Sequence, residues 1–62
     1  MDWAAWIGKE NVFIRLTDGQ IFSNSKVLEF EDPFLSITDR DGYPAIVNIK
    51  MIIKIKEERD GR

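Results

Sequence analysis

From Val12 to Lys56 the apolar residues recur mainly at every second position, in short runs broken by Asp-Gly, Asp-Pro and other polar turns. A period of two sends alternate side chains to opposite faces, so each run reads as a half-buried β-strand. Val12, Ile14 and Leu16 alternate with Phe13, Arg15 and Thr17, and Asp18-Gly19 supplies a hairpin turn. The stretch from Gln20 to Glu31 is longer. Its apolar residues Ile21, Phe22, Val27, Leu28 and Phe30 are interrupted by Ser23-Asn24-Ser25, the pattern of one strand with a sharp bend, where Asn24 tolerates an unusual backbone angle. Asp32-Pro33 turns the chain into a third strand carrying Phe34, Leu35 and Ile37. After the polar turn Thr38 to Gly42, a fourth strand carries Ala45, Ile46, Val47 and Ile49. A tight connection around Asn48 to Met51 leads to a fifth, where Ile52, Ile53 and Ile55 alternate with Lys54 and Lys56. Connections this short cannot hold a crossover helix, so the strands are antiparallel. Five of them within so few residues imply a small, strongly bent barrel.

The segment before the strands has a different period. Asp2 is placed to cap a short helix over about residues 2–8, Trp3, Trp6 and Ile7 fall on one face at helical spacing, and Gly8 suits a left-handed stop. Too short to be stable alone, this helix is expected to lay its aromatic face over the open end of the sheet. The 62 residues (1–62) form a single domain, with the charged tail 57–62 expected to fray.

Composition narrows the function. There is no cysteine and no histidine, which excludes disulfides, thiolate metal centres, cysteine nucleophiles and histidine acid–base chemistry. No apolar run reaches the ~20 residues of a membrane span, and no basic leader precedes the first apolar residues, so a cytoplasmic protein without membrane partners is expected. A net charge of −2 is the wrong profile for a duplex-DNA binder. A chain of this size buries only about 60% of its unfolded surface, which makes self-association an expected source of stability.

In order and motifs the sequence resembles the Sm/LSm family of small RNA-associated ring proteins, Hfq-like members included. Trp6-Ile7-Gly8-Lys9-Glu10-Asn11-Val12 is similar to that family's passage from helix into first strand. Val12 to Gly19 is similar to its alternating strand with an Asp-Gly turn, and Asn24 stands where a glycine usually marks the bend of the second strand. Phe34-Leu35-Ser36-Ile37 covers the third strand, and Ile46 to Ile53 the second Sm motif. Two departures stand out. The family's aspartate and Met-Asn pair are replaced by Glu31, Asp32 and Pro33-Phe34, and its Arg-Gly (or Lys-His) by Asn48-Ile49-Lys50. The resemblance implies an all-β fold: a small, strongly bent five-stranded antiparallel Sm-like (SH3-type) barrel with a short N-terminal α-helix.

The resemblance also implies a homo-oligomeric ring of about five to eight subunits, built by pairing the edge strands. Ile46, Val47 and Ile49 would lie on one edge and Ile52, Ile53 and Ile55 on the other. A candidate RNA site follows at the rim, where Asp32, Phe34, Asn48 and Lys50 occupy the family's positions. Phe34 would stack on a base, Asn48 read a base edge, and Lys50 meet a phosphate, the expected ligand being single-stranded U- or A-rich RNA. Against this stand core or subunit packing for Phe34 and a solvated turn for Lys50, while the branched Ile49 narrows the approach of a base. A second basic set, Lys50, Lys54, Lys56, Arg59 and Arg62, includes two lysines on one face of the last strand; its plainer role is to guard a sheet edge. The acidic residues Glu29, Glu31, Asp32, Asp39 and Asp41 read as solvated turn residues rather than a metal or catalytic cluster. No catalytic residue, cofactor or metal is expected. Two functions compete: a ring that scaffolds or chaperones single-stranded RNA, and a ring-forming protein-interaction module without an RNA pocket. A monomeric peptide-binding barrel is the weakest of the three.

Overall fold

A computed structural model describes residues 1–58. The chain is mainly β, with strands β1 (Val12–Leu16), β2 (Ile21–Ser25), β3 (Val27–Glu31), β4 (Phe34–Thr38), β5 (Pro44–Asn48) and β6 (Ile52–Glu57). They pair antiparallel as two three-stranded sheets, β2-β1-β6 and β3-β4-β5.

The long bent strand read from the sequence is present as β2 and β3, separated only by Lys26. Asn24 takes a left-handed φ of 51° just before the bend, a conformation that asparagine tolerates better than most residues. Hydrogen bonds at the bend show how the sheets are joined. The Lys26 amide donates to Thr38 Oγ1 and the Thr38 amide to Lys26 O, on the β4 side. The Val27 amide donates to Lys9 O and the Gly8 amide to Val27 O, on the side where the chain enters β1. The strands therefore succeed one another as β6, β1, the β2–β3 strand, β4 and β5, with β5 and β6 at the two ends.

Those ends do not meet. The strongly bent five-stranded barrel expected from the sequence is instead two three-stranded sheets, and a 3-10 helix, Ile49–Met51, stands between the open outer strands β5 and β6 in place of a hairpin turn. The N-terminal α-helix expected over residues 2–8 is also shorter, a single 3-10 helix at Trp3–Trp6. Between the Asp2 cap, whose Oδ1 accepts from the Ala4 amide, and Gly8 at φ +89° there is room only for i→i+3 bonds, such as Ile7 to Ala4. In that tighter winding Trp3 and Trp6 share the inward side, whereas Ile7 points to solvent. Trp3 packs on Phe30, ring centroids 6.5 Å apart.

A single core lies between the sheets. Val12, Ile14 and Leu16 of β1 face Val27, Leu35, Ile37 and Val47 from the other sheet, with Trp3, Trp6, Phe22, Phe30, Ala45, Ile49, Ile52 and Ile55 around them. The period of two chose these residues correctly except at bulges. Between Val27 and Glu29 the register slips, so Glu29 joins Leu28 on the outward side and Phe30 turns inward. The tail is tied further along than its charge implies: β6 runs through Glu57, and Asn11 clamps Glu58, its carbonyl accepting from the Glu58 amide and its Nδ2 donating to Glu58 O at 2.6 Å.

Ser25 is fully buried, and its Oγ has no hydrogen-bond partner. Burying an unpaired hydroxyl is unfavourable, so Ser25→Ala is expected to stabilise the fold by about 1 kcal/mol in urea unfolding. A loss of stability would show that the hydroxyl is bonded. Ile14→Ala, at the centre of the same core, is expected to cost about 2–5 kcal/mol.

Candidate functional site

Two turns meet at one end of the sheet β3-β4-β5. The first is Asp32-Pro33, joined by a cis peptide bond, between β3 and β4; the second is the 3-10 helix after β5. They are bonded directly, the Ile49 amide donating to Pro33 O at 2.9 Å. Phe34 and Asn48 are register partners across β4 and β5. The four residues singled out as an RNA site, Asp32, Phe34, Asn48 and Lys50, are thus carried on adjoining turns and paired strands.

Their availability differs. Phe34 is 49% exposed, an aromatic face open to a ligand rather than a core side chain. Asn48 is half-buried and caps the second 3-10 helix, its Oδ1 accepting from the Lys50 amide at 2.9 Å. Only its Nδ2 group remains for a base edge. Lys50 and Asp32 are exposed, and neither forms an ion pair among the described residues. Ile49 packs against the core instead of projecting into the site.

A shallow groove of about 370 Å³ adjoins this rim, lined by Glu29, Phe30, Glu31, Phe34, Ser36 and Ile46. Its layout follows from strand register. Glu29 pairs with Ser36 and Ser36 with Ile46; one row on, Glu31 pairs with Phe34 and Phe34 with Asn48. Glu29 and Glu31 therefore stand on a strand face beside two exposed apolar residues, not in the solvated turns assigned to them from sequence. Asp39 does belong to a turn, its Oδ1 accepting from the amides of Asp41 and Tyr43. Among the described residues, no group of three or more potential ligating side chains converges to hold a metal ion.

The six residues proposed for subunit contacts divide by burial. Ile46 on β5 (69% exposed) and Ile53 on β6 (60%) point away from the protein, Val47 is in the core, and Ile49, Ile52 and Ile55 pack against it. Beside Ile53 a second groove runs along β6, lined by Met1, Trp3, Ile52, Lys54 and Ile55 as well. In the basic set, Lys54 and Lys56 face outward on β6 opposite Arg15 and Phe13. Their ammonium groups lie 5.9 and 6.0 Å from the Phe13 ring centroid. Arg59 and Arg62 lie outside the described residues. Sequence reading missed the part played by Phe13, although its position two before Arg15 placed it on the outward face.

No family model, curated protein or solved structure matches the chain. Among the described residues, no helix is long and apolar enough to cross a membrane.

Asn48 and Phe34 play different parts at this site. Asn48→Ala removes a helix cap and is expected to cost about 1 kcal/mol in chemical denaturation. Phe34→Ala is expected to leave stability within about 0.5 kcal/mol. A loss near the ~3 kcal/mol of a buried phenylalanine would make Phe34 a core residue and remove it from the site.

Proposed function

We propose that the chain is the subunit of an Sm-like ring that associates with single-stranded RNA as a scaffold or chaperone. The observation that carries the reading is the pair of open outer strands, β5 and β6, each bearing an exposed isoleucine. An unpaired strand edge offers a row of free N–H and C=O groups to another chain. Since β5 and β6 end the same strand succession, β5 of one copy can pair with β6 of the next. This head-to-tail contact closes into a ring when the rotation per subunit divides the circle. Pairing joins the strands of neighbouring copies into one continuous sheet. The groove beside Ile53 is apolar and follows the same edge, in keeping with a neighbour's strand laid along it.

The rim supports the RNA part of the proposal. Phe34 offers a stacking face that accepts any base, Asn48 Nδ2 can donate to a base edge, and Lys50 supplies charge for a phosphate. Repetition around a ring brings these weak sites within reach of one strand. A ring serving as a protein-interaction module is the second reading. It is favoured by one observation: the carboxylates of Glu29 and Glu31 flank Phe34 on the strand face, where they repel phosphate.

Native mass spectrometry tests assembly. A single species of about five to eight protomers is expected, with Ile53→Lys reducing it to the 7.2 kDa subunit. A wild-type monomer would sink the ring. Fluorescence anisotropy with a short oligouridine tests the ligand: Phe34→Ala should weaken binding by about 1–3 kcal/mol with the assembly intact. An intact ring that ignores both oligouridine and oligoadenosine would instead establish the protein-interaction reading.

A further inference from the structure

The two sheets enclose one core, so their outer faces look in opposite directions, and these faces carry opposite charge. On β2-β1-β6 the outward residues are Arg15 and Phe13, paired with Lys54 and Lys56, with Ile21 beside Arg15. On β3-β4-β5 they are Glu29 and Glu31, with Ser36, Phe34 and Ile46 across the sheet. Each face holds a pair of like charges two residues apart on one strand, Lys54 and Lys56 on β6 and Glu29 and Glu31 on β3. Two residues of strand span about 6.7 Å, so Lys54 and Lys56 match Glu29 and Glu31 in spacing as well as sign. Each face also carries apolar residues among its charges: Phe13 and Ile21 on the basic side, Phe34 and Ile46 on the acidic side. Among the described residues, Glu29, Glu31, Arg15 and Lys54 form no ion pair, and Lys56 has only a 3.9 Å contact with Glu58.

We propose that these faces are mates: the acidic face of one copy docks on the basic face of another. The Phe13 ring with its two flanking ammonium groups would enter the groove between Glu29, Glu31, Phe34 and Ile46. Because the faces lie on opposite sides of the molecule, the contact is head-to-tail and open-ended, and it produces stacks. A face of three strands about 4.8 Å apart and five residues long covers roughly 200 Å², well below the ~800 Å² per partner of a stable interface. One such contact is too weak to persist, whereas several repeated around a ring reinforce one another. The proposal therefore rests on the ring reading above. The net charge of −2 opposes stacking at long range. Screening over about 8 Å at physiological salt leaves the pairs at contact to dominate.

Sedimentation velocity at about 50 mM and about 500 mM NaCl, on either side of the ~10 Å screening length at 0.1 M, tests it. At low salt the wild type should sediment as integral multiples of its ring, and at high salt as the single ring. The double variants E29K/E31K and R15E/K56E, which spare Lys54 beside the ring contact, should each remain single rings at both salts. All four changes in one chain should restore the multiples. Wild-type rings that never form multiples, or multiples indifferent to salt and charge reversal, would overturn the stacking proposal alone. A wild-type monomer at both salts would overturn it together with the ring. If rings stay single but the peptide Lys-Phe-Lys shifts the NMR signals of Glu29 and Ile46, the groove belongs to a basic protein segment, and self-stacking is wrong.

Discussion

The bend at Lys26 is the constraint on which the rest of the molecule depends. Residues Ser25 and Val27 on either side of it are both fully buried, so the strand continues through the core while its hydrogen-bond partners change from β1 to β4. One strand thereby serves two sheets. The sheets fold over each other around Ile14, Leu35 and Ile37, and a short chain obtains a two-layer core without a crossover connection. The left-handed backbone at Asn24 permits the turn where most side chains would resist it. The unbonded Ser25 hydroxyl lies at the same place, a polar atom buried where the two layers join.

The bend also explains why the protein is open. A strand shared between two sheets has its two sides occupied by β1 and β4, which leaves β6 and β5 at the ends of the succession. Closing them within one subunit would require a tight hairpin, and the Asn48-capped 3-10 helix is not one. What a single chain leaves unpaired, a second copy can complete. The apolar side chains at these edges are few, Ile46 and Ile53 chiefly, because Val47, Ile49, Ile52 and Ile55 serve the core. An edge contact would accordingly draw on backbone hydrogen bonds at least as much as on apolar burial, and the backbone selects any strand of suitable register, including its own sequence.

Charge is distributed as unevenly as hydrogen bonding. A net value of −2 conceals a basic outer face on one sheet and an acidic one on the other. The rim with Phe34, Asn48 and Lys50 sits at the border of the acidic face, so the same aromatic ring is placed to meet a base or an apolar side chain. In the proposed ring, the ligand that wins would depend on whether Lys50, repeated around the assembly, outweighs Glu29 and Glu31, repeated equally often. The geometry couples the two questions of partner and oligomer, since neither charge pattern amounts to much in a single subunit.

Sequence by itself determined the strands, because the alternation of Val12, Ile14 and Leu16 with Phe13 and Arg15 is a local record of which face is buried. It also located the bend near Asn24, the turns at Asp18-Gly19 and Asp32-Pro33, and the four rim residues that come together. Tertiary structure alone decided that the strands form two sheets rather than one barrel and that the N-terminal segment winds as a 3-10 helix with Ile7 outside. It also decided that Glu29 and Glu31 stand on a strand face beside Ile46. For Glu29 and Glu31 the physical reason is a slip in strand register. Extra residues at Leu28 in β3 and at Ile53 in β6 shift the phase of the alternation, and a shift of one residue moves every later side chain to the other face. Whether such a slip occurs is settled by the pairing of strands distant in sequence, which no local pattern records.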